Sequence, residues 1–167
     1  MNPAPKPVTV RPAAETDDAA LLEIEKTAWT SRSGFPSFRD PDATEFFTDR
    51  RPVDIHFVAE HDGAVVGYVR LVPSSDRVED AHVLGIVGLA VAPSARRLGV
   101  GAALLEFVEA EARRRGARKL ALHVLGTNDG AYRLYLRCGY VVEGRLRQEH
   151  LIDGEYVDAI VMAKFLH

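Results

Sequence analysis

Arg96-Arg97-Leu98-Gly99-Val100-Gly101-Ala102 is the stretch of this chain best suited to chemistry. It follows an apolar run ending Leu89-Ala90-Val91 and opens a long segment of helical pattern. The N–H groups of a helix's first turn have no intrahelical acceptor, and the peptide dipoles add partial positive charge there. An anion such as a diphosphate suits that end. Gly99 and Gly101 let its oxygens approach where a side chain would block them. Arg96 and Arg97 add charge-assisted donors. These residues predict a site for a phosphorylated small molecule. Two rival phosphate sites fit less well. Position 104 is Leu where a dinucleotide-binding turn has a third Gly, and no acidic residue closes the following strand to hold a ribose. No Gly-Lys-Ser/Thr follows, so a P-loop fails too.

A second group lies downstream. Ala131, Leu134, Tyr135 and Cys138 recur at helical spacing and share one face of a short helix, with Asn128 just before it. Cys138 is the single cysteine, which excludes an internal disulfide and any multi-cysteine metal site. It reads as a small buried residue. His82, His123 and His150 lack the spacing of a ligand set, so no metal is predicted.

The elements that position these groups follow from the pattern. Val8 to Arg11 is a short strand. Thr16 or Asp17 caps a helix to about Ala28. Trp29 to Asp40 is irregular, broken by Gly34, Pro36 and Pro41. Its aromatics Trp29, Phe35 and Phe38 either anchor the loop or line a cleft. A second helix is expected over Ala43 to Arg50. Ile55 to Glu60 and Ala64 to Leu71 form a hairpin around Asp62-Gly63. After a polar loop, Val83 to Val91 is a near-continuous apolar strand, and Gly85 and Gly88 mark a bulge or a close ligand approach. The glycine-opened helix runs to about Arg115, and Gly116 ends it. Lys119 to Leu125 is a strand and Asp129 to Cys138 a helix. Tyr140 to Arg145, Gln148 to Ile152 and Tyr156 to Ala163 are the last strands. The result is an α/β domain, a mixed sheet with helices on both faces.

At 167 residues the chain makes one domain, residues 8–167 behind a mobile extension of residues 1–7. A net charge of −3 provides no basic field for nucleic acid. No apolar run reaches the ~18 residues that span a bilayer, and Met1 to Pro7 has no apolar signal core. No membrane partner and a cytoplasmic location are expected.

Arg96-Arg97-Leu98-Gly99-Val100-Gly101 resembles the Arg/Gln-x-x-Gly-x-Gly/Ala signature of the general N-acetyltransferase (GNAT) superfamily. Leu89-Ala90-Val91-x-Pro93 before it is similar too, as is Asn128-x-x-Ala131-x-x-Leu134-Tyr135-x-x-x-Gly139-Tyr140 after it. The resemblance covers nearly the whole chain and implies the GNAT fold, a mostly antiparallel sheet of about seven strands. It implies an acetyltransferase that uses acetyl-coenzyme A (acetyl-CoA) as cosubstrate and a small-molecule amine as acceptor. Residues 96–102 would hold the pyrophosphate. Leu89, Ala90 and Val91 would hold the pantetheine arm in a gap between splayed fourth and fifth strands, with Asn128 bonding the arm. Tyr135 would protonate the departing thiolate as general acid. Many relatives carry a basic glutamate on the fourth strand, but this strand has no carboxylate between His82 and Val91. The candidate bases are therefore Glu79, Asp80 and His82 before it and Glu149 and His150 on the late hairpin. The tail Glu143-Gly144-Arg145, Asp153 to Asp158 and Met162-Ala163 resembles the phosphinothricin and L-amino-acid N-acetyltransferases. Dimers through the late strands are common in that family, so a homodimer is one assembly the resemblance allows. Acetylation of a protein N-terminus or lysine, acetylation of an aminoglycoside, and non-catalytic acyl-CoA sensing remain open alternatives.

Overall fold

The computed structural model describes residues 3, 4 and 6–167, the side chain of residue 39 excepted. Residues 1, 2 and 5 of the expected extension lie outside the described residues. Lys6, next to them, is ion-paired with Asp62.

The strands are β1 (Thr9–Pro12), β2 (His56–His61), β3 (Ala64–Pro73), β4 (Val83–Val91), β5 (Lys119–Leu125), β6 (Val141–Ile152) and β7 (Glu155–Phe165). The helices are α1 (Asp18–Ala28), α2 (Val100–Arg114) and α3 (Asp129–Arg137). One sheet runs in the order β1-β2-β3-β4-β5-β7-β6. Every pairing is antiparallel except the parallel one between β4 and β5.

The period-two alternation of strand side chains divides the core. Phe57, Ala59, Val69 and Leu71 face Leu104, Leu105 and Val108 of α2. Val58, Tyr68 and Ala90 point the other way, onto Leu21, Ile24 and Ala28 of α1 and onto Phe46. Helices thus cover both faces. The β2–β3 turn has φ of 52° at Asp62 and 77° at Gly63, the mirror-image turn that an Asp-Gly pair favours. Gly116, with φ of 81°, ends α2, its N–H bonding Arg113 O at 2.9 Å and that of Ala117 bonding Ala112 O at 2.9 Å.

The expected helix over Ala43 to Arg50 does not form. The N–H of Phe46 bonds the Asp18 carboxylate at 3.1 Å and that of Phe47 bonds it at 2.9 Å, and a small bridge joins Thr48 to Arg51. Phe46 is fully buried in edge contact with His56 and Tyr68, so the segment follows its side chain into the core. The two strands expected over Tyr140 to Ile152 are one irregular strand, whose register slips between Leu146 and His150 around Gln148, φ 53°.

Among the described residues no helix is long and apolar enough to cross a membrane, and no three His, Cys, Asp or Glu are placed to hold a metal.

Candidate active site

Strands β4 and β5 pair only at Val83–Lys119, Leu84–Leu120 and Gly85–Ala121. Beyond those pairs they run on separately, to Val91 and Leu125. The cause is visible on the other edge of β4. Leu89 pairs with Val69 and Ile86 with Leu71, so Val87 and Gly88 together oppose Arg70. Two residues against one bend a strand and increase its twist. Gly88 adopts φ of 73°, and a Cβ there would lie 2.9 Å from the Arg70 guanidinium. The glycine foreseen as a bulge is therefore also the place where a buried arginine packs against β4.

A cavity of about 530 Å³ fills the gap, lined by β4 from Gly85 to Leu89, β5 from Ala121 to Leu125, and Asn128, Ala131 and Tyr135 of the α3 region. The irregular segment after α1 closes one side. Its Trp29 and Phe38 rings lie 5.5 Å apart, Phe35 and Phe38 5.2 Å, and Phe35 meets His150 of β6 at 4.8 Å. Those aromatics both anchor the loop and line the cavity.

The turn into α2 is held by positive φ at Arg97 (66°) and Gly99 (77°). The first helical bond runs from Ala103 N–H to Gly99 O, 3.0 Å. The amides of Val100, Gly101 and Ala102 thus have no intrahelical acceptor. Among the described residues nothing lies within 4 Å of a Cβ on Gly99, which leaves the backbone open there. Gly101 differs: a Cβ would sit 2.7 Å from Leu134 Cδ2, so this glycine lets α2 close on α3. The arginines divide similarly. Arg96 donates to the last-turn carbonyl of α1, Ala28 O, at 3.1 Å. Among the described residues the Arg97 side chain has no hydrogen bond or ion pair.

Asn128 caps α3 by accepting from Ala131 N–H at 3.2 Å. Tyr135 is buried, and burial pushes its hydroxyl up to about 12. Its ring meets Tyr140 edge-on at 5.7 Å. Among the described residues its hydroxyl has no hydrogen-bond partner.

The candidate bases are scattered. Glu79 sits in a one-turn helix before β4, and His82, exposed, gives its carbonyl to Arg118 and Lys119 N–H. Glu149 is exposed on β6. None of these lines the cavity, and neither does Asp80, whereas His150 and His123 do. Sequence reasoning missed a buried network on the α1 side. Glu25 accepts from Tyr68 Oη, from Trp29 Nε1 at 3.1 Å and from Arg51 at 3.4 Å. The Arg70 guanidinium lies 5.9 Å over the Tyr68 ring. A glutamate and a tyrosine 43 positions apart leave no local pattern to find.

The acetyltransferase (GNAT) family model matches residues 19–140. The chain belongs to the GNAT family. Aminoglycoside N(6')-acetyltransferase type 1 of Klebsiella aerogenes is 30% identical over 142 residues, 83% of this chain and 92% of that protein. L-amino acid N-acetyltransferase AaaT of Escherichia coli K12 is 32% identical over 160 residues, 94% of this chain and 97% of that protein. The structure of yncA from Salmonella typhimurium with its cofactor acetyl-CoA superposes with a TM-score of 0.74 at 21% identity, covering 96% of this chain and 95% of that one.

As a GNAT protein the chain is an acetyltransferase, with acetyl-CoA as the acetyl donor. Its geometry suits that donor. The open backbone at Gly99, the amides before Ala103 and Arg97, unpaired among the described residues, leave donors of the kind an anion takes at a helix start. The β4 edge beyond Gly85 has no strand partner on its β5 side.

Proposed function

We propose that this GNAT acetyltransferase acetylates the primary amine of a small molecule by direct attack, with both substrates bound together. The parting of β4 and β5 beside Tyr135 is the observation that carries the reading. It opens one cavity to an extended thioester from the α2 side and to an acceptor from the Trp29–Phe38 side. Relatives named for aminoglycoside and amino-acid acetylation support a small amine as acceptor.

In this reading the first turn of α2, residues 98–102, and Arg97 hold the pyrophosphate, while Arg96 fixes the turn to α1. The arm adds along the free edge of β4 at Leu89, Ala90 and Val91, as a peptide adds to a sheet edge. Asn128 offers its side-chain N–H₂ to the arm. The Leu89 N–H faces the thioester oxygen, where one such donor is worth about 2.7–4 kcal/mol in the transition state.

The acceptor ammonium first loses a proton, which costs about 4–5 kcal/mol at pH 7 for an amine of pKa ~10.4. His150 is the base we assign, because it lines the cavity against Phe35 and a neutral imidazole nitrogen can accept a proton. His150 releases that first proton to solvent; the neutral nitrogen then attacks the carbonyl carbon, its remaining excess proton passes to the again neutral imidazole, and the C–S bond breaks. Tyr135 gives its proton to the leaving sulfur and regains one from solvent. The products are the amide and the free thiol.

Thiol release from acetyl-CoA against amino acids, phosphinothricin, polyamines, aminoglycosides and short peptides tests this. Release with a small-amine class supports it. Release with peptides alone moves the acceptor to protein N-termini. Calorimetric binding of acetyl-CoA without release to any acceptor leaves a sensor.

A further inference from the structure

The described residues lining the cavity include no Asp, Glu, Lys or Arg. One wall is aromatic instead, with Trp29, Phe35 and Phe38 in contact and His150 edge-on to Phe35. Trp29 is fixed by its Nε1 bond to the buried Glu25. We propose that the acceptor is a monoamine bearing an aromatic or branched apolar group, and that polycationic amines are disfavoured. This rests on the small-amine reading above.

Physical chemistry separates the two classes. One ammonium can rest on an aromatic face, and burial among apolar groups favours the neutral form that attacks. The apolar substituent gains from leaving water. A polycation brings two or more further ammonium groups, each losing hydration with no carboxylate to receive it. The aminoglycoside acetyltransferase relative therefore does not carry its acceptor over to this cavity.

Trp29 is the chain's one tryptophan and lines the cavity, so its fluorescence reports occupancy without turnover. Titrations with 2-phenylethylamine, spermidine and kanamycin, with and without coenzyme A, give the ranking directly. The expected result is a saturable change with 2-phenylethylamine at a Kd at least tenfold below those of the polyamines. Ser74, exposed at the cavity rim, provides a gain-of-function arm: Ser74→Asp strengthens spermidine binding at least fivefold. Spermidine or kanamycin binding as tightly as 2-phenylethylamine, or no saturable change with the latter, overturns the proposal. Thiol release on the same panel separates the two readings. Apolar preference in binding without release to any amine removes transfer to small amines, and with it the claim that the bound monoamine is an acceptor. Fastest release with a polycation keeps transfer and removes this proposal.

Discussion

Gly101, in the first turn of α2, lies against Leu134 on α3 so closely that a Cβ would come 2.7 Å from the leucine Cδ2. The glycine turn that opens α2 and the helix carrying Tyr135 are thus packed together through a residue without a side chain. Gly101→Val forces that contact apart, and overpacking of this kind costs about 1–3 kcal/mol. Stability and acetyl-CoA affinity should fall together, whereas a glycine serving only the cofactor would lose affinity alone. Adding Leu134→Ala to Gly101→Val should recover part of the lost stability in a double-mutant cycle read by urea denaturation. Strict additivity of the two changes would show that the contact carries no energy.

Arg96 and Arg97 separate structure from binding within one dipeptide. Arg96→Gln removes the donor to Ala28 O and should cost roughly 0.5–1.5 kcal/mol of stability. Arg97→Gln removes a charge with no partner among the described residues. It should leave the melting temperature unchanged and weaken acetyl-CoA binding about tenfold, the size of one charge-assisted bond. Calorimetry of cofactor binding with thermal melts of both variants checks the split, and equal effects on binding would refute it.

Tyr135 remains a phenol throughout the assay range, since burial pushes its hydroxyl up to about 12. It is therefore suited to give a proton and not to take one. A thiol pKa near ~8.5 makes the departing sulfur a fair leaving group already, so the acid's contribution falls at or below the low end of the usual ~100-fold. Tyr135→Phe should reduce kcat roughly 10- to 100-fold while the acetyl-CoA Kd and the melting temperature hold. An unchanged kcat would remove Tyr135 from the proton path.

Local patterns in the chain marked the elements around the site, and distant contacts decided what they did not mark. The Asp62-Gly63 turn and the bulge at Gly88 each follow from residues adjacent in sequence. The helix expected over Ala43 to Arg50 failed because Asp18, nearly thirty residues away, takes the Phe46 and Phe47 amides. The packing of Gly101 on Leu134 left no local mark, because the two are 33 positions apart. The glycine-opened turn into α2 was legible as a local motif. Which candidate base reaches the cavity was not, since lining a cavity is a tertiary property: His150 and Glu149 are adjacent in sequence, and of the two His150 lines it.

His56 gives the fold a pH dependence below neutrality. It is 1% exposed, bonds Pro52 O through Nδ1 at 2.7 Å, and is packed by the rings of Phe46, Phe47 and Tyr68. Burial, with smaller contributions from Arg70 and Arg51, holds its pKa down to about 4 against an ordinary 6.5. Above pH 6.5 the imidazole is neutral in both folded and unfolded chains and adds no pH dependence. Between 6.5 and 4 the unfolded chain takes up a proton that the folded chain refuses, so stability falls as pH falls. Over that window the loss approaches roughly 3 kcal/mol, at 1.36 kcal/mol per pH unit. Below pH 4 both forms are protonated and this contribution is flat. Asp17, held below its ordinary range chiefly by its hydrogen bond to Arg11, loses its stabilisation mainly at lower pH and so leaves the His56 window largely clear. His56→Asn retains a donor for Pro52 O and removes the titration. It should be less stable than the parent at pH 7.5, because the aromatic packing is lost, and that deficit should shrink steadily towards pH 4. Urea midpoints measured at half-unit steps decide the matter, and parallel curves for the two proteins would assign the acid sensitivity elsewhere.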